Sequence, residues 1–303
     1  MKKRRFFLTL AASIALSQMV PAHAATDTAY RASIDKWRVE ADQKIRAPDG
    51  PLAAIGLYWL RPGVNQVGAF PSNEVVLPSD VAPKQVGRFV VGDGEIAFDS
   101  DALPEKHLLL QQEGKGGTSS FALGRVKLSV VGRDLGLAVR VTDPNSVSRR
   151  DFPGQQWFAV DESWSVPGRF VRFDAPKTLV YEAATGGTRS GISPGYVTFE
   201  RDGQTYSLDV QESAGGYIAF FFDASTGKDS YAGGRVVPIA KADGDKVVLD
   251  FNKAFNMPCA VSAYFNCQIA PEQNHLTALR IPAGEKKPAV KVQRVASAPD
   301  YIK

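Results

Sequence analysis

Six polar side chains in the C-terminal third have types that could do chemistry. Asp250, Asn252, Glu272 and Asn274 lie in "DFNKAFNMPCAVSAYFNCQIAPEQNHLTALRIPAGE" (250–285), with Tyr231 and Arg235 just upstream. Two carboxylates, Asp250 and Glu272, could share the acid–base work of a hydrolase. Carboxylates flanked by amides and an arginine equally suit a binding site for a glycan, a peptide or another polar small molecule. The same groups could instead be consumed by structure, because Asp and Asn side chains bond their own backbone two residues on and hold tight turns. Asp250 and Asn252 stand at the end of a predicted strand and are expected to serve the turn. Glu272 and Asn274 come later and are expected to be free of the backbone, facing solvent or ligand.

Other reaction chemistries find little support. Apart from His23 in the leader region, the histidines are His107 and His275, with no His-x-x-x-His pair, so no metal site and no cofactor is expected. Cys259 and Cys267, the only two cysteines, are expected to pair with each other. No Gly-x-Ser-x-Gly elbow occurs. Ser-x-x-Lys appears as "SIDK" (33–36) and "STGK" (225–228), without the partner motifs of penicillin-binding enzymes. The second of these reads as a turn.

These residues need a scaffold, and its signals alternate in twos. "RFVVGDGEIAF" (88–98), "VKLSVVGRDLGLAVRV" (126–141), "YVTFERDGQTYSLDV" (196–210) and "RVVPIAKADGDKVVLDF" (235–251) each read as two strands around a turn. Tyr30, Ile34, Trp37, Ala41 and Ile45 form one face of a single amphipathic helix that "APDG" ends. The fold class is therefore mainly β: an antiparallel sandwich or barrel-like body with one N-terminal amphipathic helix. Residues 25–303 are expected to form one all-β domain. Its weakest point is the turn-rich loop at 143–156, where two β sub-units would divide.

The N-terminus predicts a destination. "MKKRR", the apolar "FFLTLAASIAL" and the small-x-small "AHA" have the layout of a secretory signal peptide, residues 1–24, with periplasmic or secreted protein expected. No segment is long and apolar enough to span a membrane. The chain has 36 basic and 32 acidic residues, but Lys2, Lys3, Arg4 and Arg5 would leave with the leader. The remainder is formally neutral and has no basic stripe, so no nucleic-acid partner is expected.

Two resemblances add to this reading. "NQVGAFPSNEVVL" (65–77) resembles the opening strands of forkhead-associated domains, β-sandwiches that bind phosphothreonine. Ala69 stands where their phosphate-binding arginine belongs, so the likeness implies sandwich geometry without phosphopeptide binding. "FDASTGKDSYAGGR" (222–235), "DFNKAFNMPC" (250–259), "PEQNHL" (271–276) and "IPAGE" (281–285) resemble the bacterial exported proteins grouped as domain of unknown function 1684. "GLYWLRPGVNQVG" (56–68) and "WFAVDESWSV" (157–166) look like further blocks of that family. His275 stands where relatives more often carry arginine. The resemblance implies no known activity. Three functions stay open: a binding module at a pocket of the C-terminal loop, a hydrolase using Asp250 and Glu272, and a structural envelope protein.

Overall fold

The computed structural model describes residues 22–133, 136–183, 187–290 and 292. The protein is mainly β, with one long helix, α1 (Ala22–Ile45), ahead of the strands. The expected leader lies outside the described residues except for Ala22–Ala24, which open α1.

The first β-body is a sandwich. One sheet has the order β1 (Ala54–Trp59), β9 (Gly136–Thr142), β8 (Val126–Arg133), β7 (Ser120–Leu123). The other has β3 (Val75–Val76), β2 (Gly63–Gly68), β4 (Gly87–Gly92), β5 (Glu95–Asp99), β6 (His107–Leu110). Alternate residues of the two sheets meet in an apolar core that includes Val67, Phe89, Phe98, Leu128, Val139 and Val141. The predicted 88–98 hairpin forms because Asp93 (φ 52°) and Gly94 (φ 79°) accept the left-handed conformation that a tight two-residue turn requires.

The second β-body is a closed barrel. β14 (Arg235–Lys241), β15 (Lys246–Asp250), β10 (Ser165–Glu182), β11 (Thr188–Arg201), β12 (Gln204–Ser213) and β13 (Gly216–Asp223) pair antiparallel in that order, and β13 pairs back onto β14. Closure removes the free edges among these six strands. Every second residue points inward: Val197 and Phe199, Leu208 and Val210, Tyr217, Ala219 and Phe221, Val237 and Ile239, Val247 and Leu249. Two short strands add to it, β16 (Phe255–Asn256) beside β14 and β17 (His275–Leu276) parallel to β13.

The loop between β16 and β17 covers the barrel's outer face. Met257, Cys267 and Ala270 pack on Leu179, Tyr181, Phe220 and Val236. Cys259 and Cys267 are disulfide-bonded with Cα atoms 6.1 Å apart, a normal separation. Closing so small a loop stabilises the cover by about 2–3 kcal/mol on the chain-entropy estimate.

Helix α1 lies on the barrel, although the sandwich separates the two in sequence. Ile34 is fully buried, Trp37 meets Trp157 edge-on at 5.6 Å, and Arg38 Nη2 donates to the Phe158 carbonyl at 3.0 Å. The segment 143–156 is a fastened crossing between the bodies. Asp143 N donates to Ala53 O (2.8 Å), and Arg149 caps both Arg46 O (2.6 Å) and Pro144 O (2.8 Å).

Candidate functional site

The six singled-out residues occupy three different settings. Asp250 ends β15, and its Oδ1 accepts from the Tyr30 hydroxyl (2.8 Å) and from Asn252 N (3.2 Å). Lys253 Nζ sits 3.1 Å from its Oδ2. Asn252 is fully buried: Nδ2 donates to Tyr30 Oη (2.9 Å) and Asp161 O (2.8 Å), while Oδ1 accepts from Asp161 N (3.1 Å). This pair therefore clamps α1 and the segment before β10 onto the end of the barrel. Burial, then the hydrogen bond and charge of Asp250, hold the Tyr30 phenol well above its usual range.

Arg235 is inside the barrel. It stands in phase with Val237 and Ile239 on β14, so the alternation that buries those residues buries it too, to 1 % exposure. Its Nη2 donates to Asp223 Oδ1 (3.0 Å) and Ile281 O (3.0 Å), and Nη1 to Ala283 O. Asp223 also holds Ser225 and Thr226, so "STGK" is a turn wrapped around this carboxylate. Tyr231 is half-buried against the cluster of Leu52, Phe152, Ala260 and Val261, where the crossing segment meets the disulfide loop.

Glu272 and Asn274 lie in a turn beside β12. Glu272 is exposed. Asn274 differs from the expectation of a free side chain, being 1 % exposed. Its Oδ1 accepts from Asp209 N (2.7 Å), and its Nδ2 donates to Asp209 O (2.9 Å) and Phe220 O (2.8 Å). It pins the covering loop to two strands, β12 and β13, beyond the end of their own ladder at Gln211 and Ile218. Among the described residues, no hydrogen bond or ion pair links Asp250, which ends β15, to Glu272 in its separate turn.

The space near these residues is a groove of about 380 Å³ between α1 and the outer face of the barrel. Tyr30, Ser33 and Trp37 line its helical side, Pro238 and Val248 its sheet side, and Asp250 and Lys253 its polar end. Of the six residues, only Asp250 reaches it. Tyr30 and Trp37 were visible in sequence as part of an amphipathic face, Ser33 was not, and nothing local named the strands that face would meet. No group of three or more His, Cys, Asp or Glu side chains able to hold a metal occurs among the described residues. No helix among them is long and apolar enough to cross a membrane.

Residues 150–286 match the family model described as protein of unknown function (DUF1684). The chain is 30% identical to an uncharacterised protein of Haloarcula marismortui solved in solution, over 46% of this chain and 79% of that one, with a TM-score of 0.38. A crystal structure of Rad53 with AMP-PNP matches at 11% identity and a TM-score of 0.14, over 62% of this chain and 46% of that one; a likeness this low carries no argument. No curated protein matches.

Proposed function

Because the chain belongs to the DUF1684 family, whose activity is not known, we propose its role from its own geometry: an exported binding module for a polar small molecule. The ligand class that fits best is a sugar ring, bound in the groove between α1 and the barrel. One observation carries this reading. The groove sets an aromatic side chain, Trp37, and apolar Pro238 and Val248 beside hydroxyls and the Asp250–Lys253 pair. An apolar surface with a few convergent polar groups is the usual make-up of a small-ligand site. A sugar needs both, for its C–H faces and its hydroxyls. Nothing in the geometry favours acid–base hydrolysis, since Asp250 is engaged by Tyr30, Asn252 and Lys253 while Glu272 stands in a separate turn.

A thermal-shift panel of neutral mono- and disaccharides tests the binding reading. A ligand at about 100 times its Kd should add about 2.7 kcal/mol to stability, and Trp37→Ala should abolish the shift. A panel that leaves the melting temperature unmoved at saturating sugar defeats it. Export is supported by the leader pattern and by the disulfide, which suits an oxidising compartment. Intact mass of protein from the native envelope should begin after Ala24 or Ala25; a retained Met1 defeats that part.

A further inference from the structure

Residues 281–286 cross the end of the barrel as a strap. Phe158 N donates to Gly284 O (2.9 Å), Lys286 N to Gln156 O (2.8 Å), and Glu285 N to Ala254 O (2.8 Å). The strap thus ties segment 156–158 to segment 254–256. Gly284 (φ 79°) permits this closeness, because a Cβ there would sit 2.5 Å from Ala254 O and 2.7 Å from Phe251 O.

Three buried ionisable side chains lie in and beneath the strap: Arg235, Asp223 and Glu285, at 1 %, 5 % and 2 % exposure. One guanidinium thus faces two carboxyl groups. If both ionise, the cluster carries one uncompensated negative charge away from water, a cost that proteins normally relieve by retaining a proton. Asp223 is equipped to stay charged. It accepts from Arg235 Nη2, from the backbone of Ser225 (3.2 Å) and Ile281 (2.8 Å), and from the hydroxyls of Ser225 and Thr226.

Glu285 is not so equipped. Its Oε2 accepts from Asn256 N (2.8 Å), and its side-chain neighbours are the amides of Gln155 and Asn256. Asn256 Nδ2 is committed to Lys286 O (2.8 Å). That leaves Asn256 Oδ1 and Gln155 Oε1 buried without a donor among the described residues. A carboxylate can only accept, whereas a protonated carboxyl supplies the missing donor.

We infer that Glu285 is kept as a neutral acid in the folded protein, donating to one of these amide oxygens, and that its ionisation loosens the strap. The device is a latch that weakens as pH rises. The charges around it are few. Arg235 acts on it from β14 with Asp223 behind; Lys286 is exposed and turns its Nζ toward the Phe158 ring; Arg38 from α1 is spent on Phe158 O. Segments 155–158 and 254–256 present only amide, aromatic and alanine side chains. Burial pushes the Glu285 carboxyl up to about 7, against the pull of its hydrogen bonds and of Arg235. The folded value lies above the ordinary 4.5. The proton's contribution is therefore complete below that ordinary value and is lost as pH climbs through the folded one.

Urea unfolding of the full chain and of Glu285→Gln between about pH 5 and 8.5 tests this. The wild-type midpoint should fall across that interval, while the variant's stays level and overtakes it at the alkaline end. A variant less stable than wild type at the alkaline end would mean that Glu285 is ionised and paired, and would overturn the proposal. Should the variant not fold, infrared spectra of wild-type protein with 13C-labelled glutamate decide. A protonated carboxyl band persisting at about pH 6 supports the latch, and its absence there overturns it.

Discussion

Each β-body joins an arginine to an aspartate across neighbouring strands, at nearly the same distance and at opposite depths. Arg88 and Asp99 on the sandwich are 3.1 Å apart with side chains 54% and 26% exposed. Arg235 and Asp223 in the barrel are 3.0 Å apart with side chains 1% and 0% exposed. Distance alone would rank them equal; solvent separates them. The outer pair extends to His107 and lies in water that screens it, so it contributes little. The inner pair has surrendered its hydration, and every donor it places on Ile281 or Ala283 offsets part of that loss. A buried polar group makes its surroundings obligatory, and this is why the "IPAGE" strap has so little freedom.

The largest effect should come from breaking the inner pair. Arg235→Ala leaves Asp223 charged with no cation beside it and should cost about 3–5 kcal/mol, enough to threaten folding. Arg88→Ala should cost less than about 1 kcal/mol. Urea denaturation of both variants measures the contrast, and equal losses would break it. Replacing both inner partners, Arg235→Met with Asp223→Leu, should recover part of the loss, because no unpaired charge then remains.

A smaller contrast lies within one turn. Asn274→Ala strips Asp209 N and two carbonyls of their partner and should cost about 1–3 kcal/mol. Glu272→Ala, two residues earlier and exposed, should stay within about 0.5 kcal/mol of wild type. Thermal melts reporting similar losses at both positions would mean that the turn is held by something other than its asparagine.

The smallest expected change concerns the helix clamp. Tyr30→Phe removes one hydroxyl shared by Asp250 and Asn252 and should cost about 0.5–1.5 kcal/mol. Because the aromatic ring remains, the helix should stay docked. Loss of the helix from the barrel, seen as increased amide exchange across α1, would show that the hydroxyl outweighs Ile34 and Trp37.

Much of the scaffold was legible because strand alternation and turn chemistry are local. The Gly-Asp-Gly and Arg-Asp-Gly turns place Asp93 and Asp202 at positive φ, as their sequences imply. Barrel closure was not legible, since the return of β13 to β14 depends on register between residues whose side chains give no pairing code. The site was legible only in part. Arg235, read as lining a pocket, shares the alternation of Val237 and Ile239, a signal that it points into the core. Asn274 offered no comparable signal, because its partners Asp209 and Phe220 lie 65 and 54 residues away. Glu285 ended the quoted stretch without drawing notice, for burial of a carboxyl is decided by Gln155 and Asn256 rather than by its neighbours in sequence.

The clamp between Tyr30 and the Asp250–Asn252 turn joins residues 220 and 222 apart. For a chain made from its N-terminus, this dictates an order of events. The sandwich is complete in sequence by Thr142, over a hundred residues before Asp250 exists, and such bodies fold as units when synthesised first. Helix α1 precedes every described strand in sequence, so Ile34 and Trp37 must wait uncovered until β15, one of the later strands, has formed. Its docking therefore reports that the strands beneath it are in place.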